Sequence, residues 1–128
     1  MEKIDWMNSE RRKIAEYYKE NLKDVPGLSF MRMTAGSLPN WHIFGILVPP
    51  EHRYWIMDAL RAEGVYANVH YTPLHRNPFY EKLGTDEELA GSMKFFEGLL
   101  RLPIYPSLTN DEREQVIQAT IKVFEILK

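Results

Sequence analysis

The chain has 128 residues, of which 16 are Lys or Arg and 18 are Asp or Glu, so its formal net charge is −2 with the four histidines counted neutral. At 45% apolar and 27% charged residues it falls in the range of soluble globular proteins, which excludes disordered, collagen-like and low-complexity classes. With no cysteine, disulfide frameworks, thiolate metal sites and cysteine nucleophiles are excluded together, and a cytoplasmic location is expected. An isoelectric point near 6.1 leaves no basic footprint for nucleic acid, because bases are matched locally by acids, as in Glu10-Arg11-Arg12-Lys13. Glu2, Lys3 and Asp5 interrupt the first residues, so no apolar signal region is read there. Since no stretch approaches the ~20 apolar residues of a membrane span, no membrane partner is expected either.

Ile4, Met7, Ile14, Ala15, Tyr18 and Leu22 fall on one face of a first helix, with Asn8 or Ser9 as its cap and Pro26-Gly27 as its stop. Leu28–Met33 and Trp41–Val48 read as two strands around the turn-forming segment 35–40. The second is nearly continuously apolar and is expected to be covered on both faces, with His42 as its polar interruption. Pro49-Pro50 opens a helix over Glu51–Glu63 that buries Ile56, Met57 and Leu60, and Gly64 ends it. Val65–Tyr71 alternates with a period of two and reads as a strand that Pro73 terminates. Thr85-Asp86-Glu87-Glu88 and Thr109-Asn110-Asp111-Glu112 both fit the capping box and open two further helices. The last buries Val116, Ile117, Thr120, Ile121, Phe124 and Leu127. Between them, 99–106 reads as a short edge strand or extended crossing. The resulting order, α-β-β-α-β-α-β-α, describes an α/β fold in two layers. A small, mostly antiparallel sheet of three to four strands lies against helices, and residues 1–128 are expected to form a single domain.

The segment His70-Tyr71-Thr72-Pro73-Leu74-His75 brings two imidazoles and a phenol to a strand end, where rigid scaffolds tend to present functional groups. A satisfied structural cluster is the plainer alternative. A zinc site from His42, His70 and His75 lacks any supporting thiolate or His-Glu-x-x-His helix, so no metal is expected. Neither Ser37 nor Ser107 lies in a Gly-x-Ser-x-Gly turn, and the seven glycines form no phosphate-binding loop. Tyr54, Trp55 and Tyr66, with Phe79, Tyr80, Phe95 and Phe96, exceed what so small a sheet needs. Such a surplus marks either a surface buried against another domain or an aromatic-rich core.

Four motifs in order carry a resemblance over nearly the whole chain: Arg11-Arg12-Lys13-Ile14-Ala15-Glu16-Tyr17-Tyr18, Trp41-His42-Ile43-Phe44, Gly64-Val65 leading to His70-Tyr71-Thr72-Pro73-Leu74-His75, and Leu102-Pro103-Ile104-Tyr105-Pro106-Ser107-Leu108-Thr109. Together they resemble the C-terminal small domain of the DegT/DnrJ/StrS family of sugar aminotransferases, enzymes of the fold-type-I, aspartate-aminotransferase-like class. The resemblance implies pyridoxal phosphate chemistry on a nucleotide-linked keto sugar, in cytoplasmic homodimers serving polysaccharide or amino-sugar biosynthesis. It implies that His75 lies near cofactor and sugar, with Tyr71, His70 and His42 lining or supporting that side as substrate-binding residues.

The family's large N-terminal cofactor domain, with its cofactor-bearing lysine, has no counterpart here. Lys3, Lys13, Lys19, Lys23, Lys82, Lys94, Lys122 and Lys128 all sit in helical or helix-flanking contexts. The chain by itself is therefore expected to hold no catalytic residue, to bind no cofactor and to be inactive without the missing domain. Two alternatives stay open. One is a free-standing small-ligand-binding or oligomerisation module derived from that domain. The other is a small hydrolase or isomerase built on His70 and His75, which would need a carboxylate within hydrogen-bond reach of an imidazole.

Overall fold

A computed structural model describes residues 3–127. Helix α1 (Ile4–Leu22) buries Ile14, Ala15, Tyr18 and Leu22, the helical-spacing face expected of it. Its start corrects the expected cap: Asn8 and Ser9 lie inside the helix, and no side chain caps it at Lys3. Asn8 instead accepts a hydrogen bond from Arg11 Nη2 at 2.5 Å. Ile4 and Trp6, one turn into the helix, remain exposed, so only the second half of α1 belongs to the core.

Three antiparallel strands form the sheet in the order β1-β2-β3: β1 (Ser29–Phe30), β2 (Phe44–Leu47) and β3 (Leu99–Leu102). The central β2 explains the nearly unbroken apolar run. Phe44 and Ile46 face the main core opposite Leu102 and Leu100, whereas Gly45 lies against Met31 and Leu99 on the other side. The paired segment is shorter than Trp41–Val48. Trp41 adopts a left-handed conformation, φ 51°, and the His42 amide donates to Asn40 Oδ1 at 3.0 Å, so 40–42 is a turn rather than strand. Tyr18 meets Phe44 edge-on with centroids 5.2 Å apart, and its hydroxyl donates to the Pro103 carbonyl oxygen. Burial pushes that phenol above its ordinary range.

Pro50–His52 makes a single 3₁₀ turn that leads into α2 (Arg53–Ala62), where Ile56 and Leu60 are buried and Met57 partly so. Gly64, at φ 79°, supplies the left-handed position after the helix. The expected strand 65–71 is corrected to an isolated bridge between Asn68 and Arg101. The alternation was real, since Val65 and Ala67 are buried while Tyr66 and Asn68 are exposed. The ladder does not extend because the Ala67 amide turns back to the Val65 carbonyl, leaving only the reciprocal Asn68–Arg101 backbone pair.

Two 3₁₀ segments follow, Leu74–Arg76 and Pro78–Leu83; the second is opened by Asn77, whose Oδ1 accepts from the Phe79 amide. The box at Thr85 forms, with both of its hydrogen bonds to Glu88, but it closes a turn ahead of α3 (Ala90–Gly98) rather than opening that helix directly. The box at Thr109 opens α4 (Asn110–Ile126) as expected; hydrogen bonds from the Thr109 amide and hydroxyl hold the Glu112 carboxyl below its usual range. α4 packs on α1 and α2, and α2 also touches β3. α3 docks on β2 at Gly98, where an added Cβ would lie 2.9 Å from the Val48 carbonyl oxygen. No helix among the described residues is long and apolar enough to cross a membrane.

Candidate functional site

The four residues singled out by resemblance occupy three settings. His42 lines a cleft of about 410 Å³ together with Arg11, Tyr66, Arg101 and Tyr105. His70 and Tyr71 stand at the end of the 65–71 segment with rings edge-to-face, centroids 4.6 Å apart. The Tyr71 side is open, with that residue 77% exposed, while His70 Nδ1 is buried without a hydrogen-bond partner among the described residues. His75 lies in the 3₁₀ segment Leu74–Arg76 and is buried; its Nε2 is 2.8 Å from Asp86 Oδ1. These imidazoles do not converge on a ligand set, and no group of three His, Asp or Glu side chains among the described residues is placed to hold a metal.

Asp86 organises the segment around His75. Its Oδ1 meets the imidazole, and both of its oxygens accept from the Arg76 guanidinium, Oδ2 at 2.5 Å from Nη2. Arg76 first, and His75 second, hold the Asp86 carboxyl down to about 2. Because the folded value lies below the ordinary one of 3.8, the contribution is fully present above pH 4 and is lost as pH falls through about 2. Carboxyl-carbon NMR of Asp86 should therefore give a midpoint near 2. A midpoint at the ordinary aspartate value would mean that the bridge to Arg76 and His75 does not persist in solution.

In the sequence Asp86 reads only as a member of a capping turn, and nothing local distinguishes it from Glu87; its role arises from a 3₁₀ turn about ten residues upstream. Arg101 carried a visible signal, a lone charge inside Leu99-Leu100-Arg101-Leu102. The aromatic surplus is largely on the surface: Phe79 is 84% exposed, Tyr66 73% and Tyr54 68%, with Leu74 and Leu83 beside Phe79 in sequence also exposed. Phe96 is the exception, partly buried against Arg53.

Helices against a small antiparallel sheet, followed after the second helix by a segment whose aromatic side chains are exposed, make this an α/β domain. The chain belongs to the DegT/DnrJ/EryC1/StrS aminotransferase family, whose model matches residues 1–121. It is similar to the erythromycin biosynthesis sensory transduction protein EryC1 of Saccharopolyspora erythraea, at 35% identity over 92% of this chain and 32% of that protein. It is also similar to the spore coat polysaccharide biosynthesis protein SpsC of Bacillus subtilis, at 29% identity over 93% of this chain and 32% of the relative. Among solved structures, the aminotransferase TlmJ from Streptoalloteichus hindustanus superposes with a TM-score of 0.89 at 27% identity, covering 98% of this chain and 34% of that one. The chain thus spans about a third of the length of the relatives it matches.

Proposed function

We propose that the chain is the carboxy-terminal, substrate-side domain of a pyridoxal-phosphate-dependent sugar aminotransferase, forming one wall of a cleft for a nucleotide-linked keto sugar. The observation that carries this reading is the match of nearly the whole chain to only a third of each relative, which leaves two thirds of those proteins to do the cofactor chemistry. It is supported by the exposed side chains Tyr71, Leu74, Phe79 and Leu83, apolar groups close in sequence that another domain could cover. A free-standing module would be expected to carry polar groups there. The reading brings with it a cytoplasmic homo-oligomer in which this surface is covered by the remainder of the enzyme.

The chain's own lysines do not fit a cofactor-bearing role. Lys13, Lys23 and Lys122 are tied to Glu10, Glu20 and Glu63, Lys19 rests over the Trp41 ring, and none of the lysines among the described residues is buried. A lysine that attacks a carbonyl at neutral pH is commonly activated by desolvation in an apolar pocket, and none of the described lysines is buried in one. This chain's part is recognition. The exposed Tyr71 hydroxyl can donate to or accept from a sugar hydroxyl, and the Asp86–His75 contact fixes the turn that follows it.

The test grafts these residues in place of the corresponding third of the aminotransferase TlmJ and assays amino transfer to a nucleotide-linked keto sugar. Tyr71→Phe in that protein should raise KM for the sugar by about tenfold with little change in kcat, as expected when a binding contact is lost. An unchanged KM in Tyr71→Phe, His70→Gln and His42→Gln alike would remove the proposed wall.

A further inference from the structure

Only 4% of the His75 side chain is exposed, and its Nε2 meets Asp86 Oδ1 at 2.8 Å. The Arg76 guanidinium donates to both oxygens of that carboxyl and, with His75, keeps it ionised down to about pH 2. An ionised carboxylate has acceptor sites only, so the hydrogen shared by the two residues belongs to the imidazole. A neutral imidazole carries a single N–H. With that hydrogen on Nε2, the other ring nitrogen, Nδ1, is a bare lone pair. The His75 Nδ1 has no hydrogen-bond partner among the described residues, yet it is not enclosed as the equally unpartnered Nδ1 of His70 is.

Two groups of this segment therefore make different demands on a ligand. The Tyr71 hydroxyl rotates and can donate or accept, whereas an imidazole held in one tautomer can only accept. A ligand O–H or N–H satisfies it; a carbonyl, ether or phosphate oxygen leaves two lone pairs facing each other. The ring has little freedom to adapt, because the turn Leu74–Arg76 packs on Pro78–Leu83 and Asp86, beyond both, closes the loop between them. We propose that Asp86 is a positioning residue for sugar recognition: it fixes the His75 hydrogen on Nε2, so that Nδ1 admits a hydroxyl of the keto sugar and rejects an acceptor at the same point. The identity of the ligand rests on the proposed function; the tautomer rests on residues of this chain alone.

Long-range proton–nitrogen NMR of residues 1–128 at mildly alkaline pH reads the tautomer, and should find the His75 hydrogen on Nε2. Asp86→Asn should invert it: Arg76 keeps the amide oxygen, the amide N–H then faces the ring, and Nε2 must accept while the hydrogen moves to Nδ1. Arg76→Gln weakens the same bridge but leaves an accepting carboxylate, so the tautomer should stay. In the graft onto TlmJ, Asp86→Asn should raise KM for the sugar by about tenfold with little change in kcat, and Arg76→Gln by less than about threefold. A parent chain with the hydrogen on Nδ1 would overturn the proposal. So would an inverted tautomer with unchanged KM, or equal rises in KM for Asp86→Asn and Arg76→Gln, since loosening of the turn would then be the whole effect. If Asp86→Asn does not fold, Asp86→Glu replaces it: the tautomer and, within about threefold, KM should be retained, and a tenfold rise with the tautomer retained would overturn the role of Asp86. An unsubstituted graft without turnover would count against the proposed function instead, and the tautomer in residues 1–128 then decides for or against Asp86.

Discussion

Phe44→Ala is expected to lower the free energy of unfolding by about 3–5 kcal/mol, the range for emptying a buried aromatic site. Phe44 is 1% exposed in the central strand and is surrounded by rings: Tyr18 edge-on at 5.2 Å, Trp41 at 5.8 Å and Phe30 at 6.0 Å. Such a site cannot close over the gap. β2 is fixed by pairing on both edges, and Tyr18 is held from above by its hydrogen bond to Pro103. Because a domain of this size has only about 5–15 kcal/mol of total stability, the variant should be close to unfolding in water. Urea denaturation followed by circular dichroism measures the loss; a change below about 1.5 kcal/mol would show that the aromatic cluster is not the centre of the core.

Arg53→Ala should cost about 3 kcal/mol, from a charged hydrogen bond worth roughly 1.5–3 and two cation–π contacts of roughly 0.5–1 each. Arg53 is 4% exposed at the start of α2, yet it forms no ion pair among the described residues. Its guanidinium is flanked by the rings of Tyr54 and Phe96, donates from Nη1 to the Phe96 carbonyl oxygen and from Nη2 to the Tyr54 hydroxyl, and leaves Nε without a partner. The contact ties α2 to the last turn of α3, immediately before β3 begins. Arg53→Lys keeps the charge but not the planar fork, so it should recover less than half of the loss. Equal stability of Arg53→Lys and the parent chain would mean that charge alone, rather than stacking with a directed hydrogen bond, holds this joint.

Where local chemistry sets local structure, the sequence was legible. Thr109 and Glu112 cap α4 reciprocally, the unbroken apolar run around Ile46 became a central strand covered on both faces, and Gly64 took its left-handed position. The failures come from distance. Strand pairing of 65–71 depends on how far β3 remains available, and only Asn68 finds a partner there. The entry of α1 could not be placed because Asn8 and Ser9 have the right chemistry for a cap but lie within a helix that starts at Ile4. In the candidate site, Tyr71 and His70 are neighbours in both sequence and space. The partner of His75, Asp86, and the residues that share a cleft with His42, Arg101 and Tyr66, could be known only once the turn at 74–76 and the pairing of β3 were in place.

The proposed function assigns the covalent chemistry to residues outside this chain. The direct measurement is amino transfer from glutamate to a nucleotide-linked keto sugar by residues 1–128 alone, with pyridoxal phosphate added. No turnover above that of free cofactor is expected, because no lysine among the described residues is buried to receive it. Saturable turnover by the lone chain, abolished by replacing one of its own lysines, would contradict the division of labour proposed for it.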